Sequence, residues 1–308
     1  MKSSTDPLRE GTGLTISAGV ASVAVALILV ALKLWALVET GALSIAASLA
    51  DSAVDLIMSL GAAAAIVYAA LPADEDHAFG HTSAEDLAAL GQSAFIMVSA
   101  GLIGWAAATR LLADTPPELA SEAEGLVVMV ISIVLTLALV WWQGRVARRT
   151  GSKVVAADRL HYLGDLLPSL GAILALWLSS RFGLGSADAV VALLAAGVMA
   201  VGALRIGKDA WDALMDRAAD PAILDGIAVI ARNWPGVHGF HDLKTRRAGS
   251  RVFVNLHIEL DGDQTLREAH DIGAGLRRAI LAAYPQTDVI IHKDVHGEGG
   301  RKPVPPSG

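Results

Sequence analysis

Two carboxylates four residues apart, Asp51 and Asp55, stand in the segment SLADSAVDLIMSL, inside a long apolar run. An ionised carboxylate at membrane depth costs several kcal/mol unless it is paired or wetted. A second pair, His161 and Asp165, has the same spacing in DRLHYLGDLLPSL. On a helix, residues i and i+4 share a face, about 6 Å apart along the axis. Two such helices facing each other offer three carboxylates and one imidazole. That nitrogen and oxygen set suits a divalent metal in tetrahedral geometry, Zn²⁺ above all. A dication beside the carboxylates offsets their cost. The bland alternative is that these groups only hydrogen-bond helix to helix, as single intramembrane polar residues do. Two matched pairs favour metal.

Two further groups carry ligand-type residues. The stretch LPADEDHAFGHTSAED brings Asp74, Glu75, Asp76, His77 and His81 together. It reads either as a surface metal site or as a solvated acidic loop. In the strand-like RVFVNLHIEL, Val252, Val254, Leu256, Ile258 and Leu260 share one face, and Phe253, Asn255, His257 and Glu259 share the other. In DVIIHKDV, His292 and Asp294 share a face. His241 opens HDLKTR after a glycine, and His270 lies on a helical segment. Four histidines and one aspartate grouped this way favour metal over ordinary surface histidines. His238 and His296 read as surface or strand-end residues.

The elements that must position these groups follow from composition. The chain of 308 residues is 54% hydrophobic and 18% charged, with mean hydropathy +0.51, which points to a membrane protein. There is no cysteine, so disulfides and thiolate metal sites are excluded. The net charge of −7 speaks against nucleic acid. Six apolar runs, at 13–38, 41–70, 86–112, 119–146, 153–180 and 187–208, are each long enough to cross a hydrocarbon core, which takes about 20 helical residues. Lys2 and Arg9, the basic connection Arg145, Arg148, Arg149 and Lys153, and the pair Arg205 and Lys208 all fall on one side, so both termini are expected in the cytoplasm. Lys33 reads as a snorkelling residue near a helix end. Trp35, Trp105, Trp141, Trp142 and Trp177 read as interfacial belt residues.

From 209 onward the pattern is helix, strand, strand, helix, strand, with a hairpin signal at Ala248, Gly249 and Ser250. The expected fold is an α-helical membrane protein: a six-helix bundle followed by a ferredoxin-like α+β domain of order αββαβ. The expected organisation is a cytoplasmic N-terminal segment (1–12), a transmembrane domain (13–208), a cytoplasmic metal-binding domain (209–296) and a disordered tail (297–308).

With LADSAVD, DHAFGH, HYLGD, HDLKTR, HIEL, EAH and VIIHKD in order, the chain resembles the cation diffusion facilitators, in their bacterial zinc and iron efflux branch. The resemblance spans residues 10–296. It implies a homodimer in the bacterial inner membrane with cytoplasmic tail domains. It implies a transport site of Asp51, Asp55, His161 and Asp165, and a loop site of Asp74, His77 and His81. It implies a binuclear tail site of His241, His257, His270, His292 and Asp294, with Asp294 bridging. Relatives carry a Lys two residues after the second loop histidine, paired with an acid near the start of the tail. Here that position is Ser83, while Asp216 is present.

The expected function is therefore export of a divalent metal, Zn²⁺ with Cd²⁺ or Fe²⁺ as alternatives, in exchange for protons. Metal in the tail is expected to favour the transport-competent state. The competing readings are an uncoupled cation channel and a metal sensor that moves nothing. No GxxxxGK[ST] phosphate loop is present, so ATP-driven pumping and an enzyme reading lack support.

Overall fold

A computed structural model describes residues 7–40, 43–112, 126–166 and 187–297. The two outer loops expected near 113–118 and 181–186, the later part of the fifth expected span (167–180), Trp177 and the tail beyond 297 lie outside the described residues. The chain divides into two compact units, Met1–Asp212 and Ala213–Gly308.

The first unit is helical: α1 (Pro7–Thr40), α2 (Leu43–Ala69), α3 (Ser83–Leu112), α4 (Leu126–Thr150), α5 (described over 153–166) and α6 (Ala187–Leu214). Among the described residues, five of these are long and apolar enough to cross a membrane. The sixth is α5, whose described part is short. The helices wear apolar side chains outward, among them Leu102, Trp105, Trp141, Leu194 and Val198. In water these would be costly; against lipid they are the ordinary surface of a spanning helix. Trp35, Trp105 and Trp141 face outward, whereas Trp142 packs inward against the cluster of Ala18, Ala62, Ile66, Val146, Val154 and Val155. That cluster joins α1, α2, α4 and α5. A second, of Ile96, Ala100, Met199 and Ala203, joins α3 to α6.

Helix α5 is held by charge as well as packing. Lys153 at its start donates to Asp86 of α3 at 2.7 Å, and Asp86 is buried. Lys153 also donates to the Asp209 carbonyl of α6 at 3.2 Å. Read from sequence as an orientation marker, Lys153 is in the structure a tie between three helices.

The second unit contains α7 (Pro221–Arg232), β1 (Gly239–Ala248), β2 (Arg251–Leu260), α8 (Leu266–Ala283) and β3 (Thr287–Val295). The sheet order is β1-β2-β3, with β1 and β2 antiparallel and β2 and β3 parallel. Alternation along β2 buries Val252, Val254, Leu256, Ile258 and Leu260, as strand parity requires. They pack against Ile227 and Ala231 of α7, Leu276 and Ile280 of α8 and Val289 of β3. Asp220 caps α7 with Pro221 following, and Thr265 and Glu268 close a capping box on α8. The opposite face of β2 carries His257 and Glu259.

Candidate metal sites

Among the described residues, three groups of side chains place one ligand atom each within 4.8 Å of the others: Asp55, His161 and Asp165; Asp74, His77 and His81; and His241, His257 and Asp294.

In the helical unit, His161 and Asp165 project from α5 and Asp55 from α2. His161 Nε2 lies 3.1 Å from Asp55 Oδ1 and 3.9 Å from Asp165 Oδ2. His161 is buried, its ring meeting Phe95 edge-on at 5.7 Å. Its Nε2 has no aligned hydrogen-bond partner although two carboxylates face it. A buried nitrogen that faces two carboxylates, one of them at 3.1 Å, has the form of a ligand set around a cation position. Gly164, between the two α5 ligands, leaves room for the end of the Met199 side chain of α6, which a Cβ there would displace. Asp51 lies one turn before Asp55, is exposed and is not in this triad. Its neighbour Ser52 accepts a hydrogen bond from Lys33 at 2.6 Å. Lys33 thus reaches across to α2 beside the ligand turn instead of simply snorkelling.

Around the triad lies a polar network that spacing alone does not single out. Asp158 is buried, and its Oδ2 accepts from Ser22 Oγ at 2.5 Å and Gln143 Nε2 at 2.7 Å. Tyr162 OH shares a 2.8 Å bond with Ser59 Oγ. These bonds tie α5 to α1, α2 and α4 on the rungs adjoining His161. The available sign is a further carboxylate in the same stretch, Asp158, three positions before His161.

In the loop after α2, Asp74 Oδ1 accepts the His77 backbone N–H at 2.6 Å, and Oδ2 lies 3.3 Å from His81 Nε2. The rings of His77 and His81 stand 4.5 Å apart, and Tyr68 packs edge-on against His81 at 4.6 Å. The His77 backbone bond holds the Asp74 carboxyl below its usual range. His81 is buried while Asp74 and His77 are exposed, so the group opens to solvent. Glu75 and Asp76 are exposed beside it.

In the second unit the sheet register assembles the cluster. His257 pairs with His241 on β1 and with His292 on β3. The three imidazoles therefore form one row across neighbouring strands. Ring centroids are 5.2 Å apart for His241 and His257 and 4.6 Å for His257 and His292. These distances match the strand spacing of about 4.8 Å. Asp294, one step along on the same face, receives all three. Its Oδ2 lies 2.9 Å from His257 Nδ1 and 3.3 Å from His241 Nε2, and its Oδ1 lies 3.2 Å from His292 Nε2. Partial burial pushes the Asp294 carboxyl up, but the His257 bond and the pull of His292 outweigh it and hold it low. An irregularity between His241 and Lys244, with Asp242 at φ 50°, sets His241 in the row before the strand resumes. His270 is exposed on α8 and is not in the convergent group. Asp216 pairs with Arg246 at 3.2 Å, a bond within this unit.

Glu259, His238 and His296 continue the pattern. Glu259 bridges His241 Nδ1 at 3.1 Å and His296 Nδ1 at 2.9 Å. The His296 bond, with that of His241, holds the Glu259 carboxyl below its usual range.

Comparison with known proteins places these groups in context. Residues 19–215 match the family model of the cation efflux transmembrane domain, and residues 219–296 that of the cation efflux protein cytoplasmic domain. The chain is 46% identical over 274 residues to the cation-efflux pump FieF of Shewanella oneidensis, covering 89% of this chain and 92% of that protein. It is 43% identical over 277 residues to FieF of Pectobacterium carotovorum, covering 90% and 91%. Among solved structures, the metal-bound C-terminal domain of the CzcD transporter from Thermotoga maritima is 29% identical and matches 25% of this chain and 92% of that one, with a TM-score of 0.25.

Proposed function

Because the chain belongs to the cation diffusion facilitator family and is a multi-pass cation-efflux transporter, we propose that it exports Zn²⁺, or a similar divalent ion such as Cd²⁺ or Fe²⁺, in exchange for protons. The observation that carries this reading is the convergence of Asp55 and Asp165 on the buried Nε2 of His161. One imidazole and a set of carboxylates is a borderline ligand set. It favours Zn²⁺-class ions over Mg²⁺ or Ca²⁺, which take oxygen alone.

The mechanism follows from ligand chemistry. Metal binds the deprotonated ligands, so protons and metal compete for the same atoms. In the inward-facing state Asp51, Asp55, His161 and Asp165 take a metal from the cytoplasm. Asp51, one turn along α2 from the triad, closes on the ion as the fourth ligand. When the bundle opens outward, protons replace the metal, and the protonated site returns. Lys33, bonded to Ser52 beside the α2 ligand turn, offers a basic group to the carboxylates while no metal is bound. The transporter sits in the bacterial inner membrane with both termini cytoplasmic, on the distribution of Lys and Arg.

The cytoplasmic unit reads metal concentration. Its cluster lies on a half-exposed sheet face and equilibrates with its surroundings. We take the protein to be a homodimer in which metal draws the two cytoplasmic units together and so favours the transporting state. The exposed position of His270, away from the cluster of its own protomer, suits a ligand offered across that interface. The loop group at Asp74, His77 and His81 is a third metal position, suited by its exposure to exchange with solvent.

The experiment is flux in sealed vesicles containing the purified protein, with a zinc dye and a pH dye inside. Zinc uptake with opposing proton movement, lost in Asp55→Ala, is the expected result. Zinc flux indifferent to the proton gradient would establish a channel instead. No flux, with metal still bound by the cytoplasmic unit, would leave a sensor.

A further inference from the structure

Glu259 stands outside the Asp294 cluster, yet its carboxylate is set among imidazoles in the same manner. One oxygen lies 3.1 Å from His241 Nδ1 and the other 2.9 Å from His296 Nδ1. The His238 ring stands 5.3 Å from that of His296, inclined by 33°. Backbone bonds bring these residues to one end of the sheet. The His238 N–H donates to the Glu259 carbonyl at 2.9 Å, and the His296 N–H to the Leu260 carbonyl at 2.8 Å. Opposite Glu259 on β1 is Gly239. A Cβ there would lie only 2.9 Å from Glu259 Oε2. The missing side chain is what lets the carboxylate lie where it does.

We propose that Glu259 and His296, with the exposed His238 ring turning in to join them, form a further divalent-cation position, for ions of the Zn²⁺ class, at this end of the sheet. Their ligand atoms do not all lie within 4.8 Å of one another as those of the three groups above do, so the His238 ring moves when the ion binds. Two imidazoles and one carboxylate are a zinc-type ligand set with a fourth place for water. Both histidines are exposed, so the position is open to solvent. The three ligands precede β1, lie in β2 and follow β3, so a bound ion staples all three strands at their ends.

The position is joined to the Asp294 cluster through His241. Its Nε2 faces Asp294 at 3.3 Å while its Nδ1 faces Glu259. With Nδ1–H donated to Glu259, the Nε2 lone pair is directed at the Asp294 position. This is the carboxylate–imidazole–metal relation that tunes a ligand from behind. An ion on Glu259 withdraws charge from that bond, so the two positions fill interdependently. This proposal goes beyond the transport reading and does not require it.

The test uses the full-length protein in detergent, stripped by chelator and equilibrated with buffered Zn²⁺. Metal per protomer is then counted by mass spectrometry. The variants are His238→Ala/His296→Ala, Glu259→Gln and Asp294→Ala, with circular dichroism to verify the fold. The changed histidines are exposed, so their removal leaves the fold intact. The double variant and Glu259→Gln are each expected to hold one ion fewer per protomer than the parent. Glu259→Gln is also expected to weaken the Asp294 cluster about 10–100-fold. Asp294→Ala is expected to keep the ion on Glu259. An unchanged metal count in the double variant overturns the proposal, and leaves the reading of the Asp294 cluster standing.

Discussion

The triad on α2 and α5 and the cluster on the sheet use the same chemistry in opposite settings. Each brings a histidine nitrogen to about hydrogen-bond distance from an aspartate oxygen, 3.1 Å for His161 and Asp55 and 2.9 Å for His257 and Asp294. The His161 side chain is only 6% exposed, whereas that of His241 is 35% exposed. Asp55 is half-buried and Asp165 exposed, so the triad is built round a buried imidazole, whereas all three members of the sheet cluster are half-buried. A set that includes a buried ligand depends on movement of the protein to release its ion, and burial raises the cost of leaving a charge unpaired. An open set exchanges directly with solution and therefore reports concentration. The supports differ to match. The helical triad is braced by buried polar bonds at Asp158 and by the Asp86–Lys153 pair. The sheet cluster rests on an apolar core.

That contrast can be broken or sharpened by experiment. The largest effect is expected from His161→Ala, which should lower zinc flux by at least about a hundredfold, beyond the usual cost of losing an outer partner. The cytoplasmic metal count should stay at the parental value; if it falls as well, the two sites are not independent.

Removing Asp86 leaves the Lys153 ammonium without its buried partner. Asp86→Ala is expected to cost about 3–5 kcal/mol, read as a lower unfolding midpoint in detergent. An unaltered midpoint would show that the polar brace on α5 is dispensable. Leu256→Ala is expected to cost about 2–5 kcal/mol by opening a cavity under the sheet. It should weaken metal binding by the cytoplasmic unit and leave the helical triad's binding intact.

Acid offers a milder test. The carboxyls of Asp294 and Glu259 are both held below their usual range. A carboxyl depressed in the folded state adds stability above its unfolded value, about 3.9 for Asp and 4.3 for Glu. That contribution is lost as pH falls through the folded value. The metal-free cytoplasmic unit should therefore melt earlier on acidification below about pH 4, and Glu259→Gln should flatten this slope. A midpoint that rises with acid would contradict the assignment. The smallest effect is expected from Thr265→Ala, which removes the α8 cap at a cost of about 1 kcal/mol. Denaturant titration should detect it with little change in metal binding.

Much of this arrangement is legible in the sequence, and the reasons are specific. Helical spacing puts His161 and Asp165 on one face without knowledge of the neighbours, and apolar length marks the spans. Parity along β2 separates the buried Val254, Leu256 and Ile258 from His257 and Glu259. What spacing cannot supply is the partner. Asp158, Ser22 and Gln143 come from three helices distant in sequence, so their network exists only after packing. Lys153 reads as an orientation charge until Asp86 is seen beside it. His238 and His296 flank strand ends, where pairing rather than parity decides which residues meet. The irregularity at Asp242 is likewise invisible to a strict alternation.

The row of imidazoles also makes the cytoplasmic cluster a gauge of correct assembly. His257 meets His292 only in one register of β2 and β3. A slip of one residue would turn His292 and Asp294 toward the core and bring Lys293 to the ligand face. A metal ion held there as proposed would reward the correct pairing and no other. Timing adds to this. The helical triad is complete in the growing chain once Asp165 has been made, whereas the sheet cluster must wait for Asp294. At bacterial rates of synthesis the interval is on the order of ten seconds. For that interval, the newborn protein holds the side chains of the helical triad and not those of the sheet cluster.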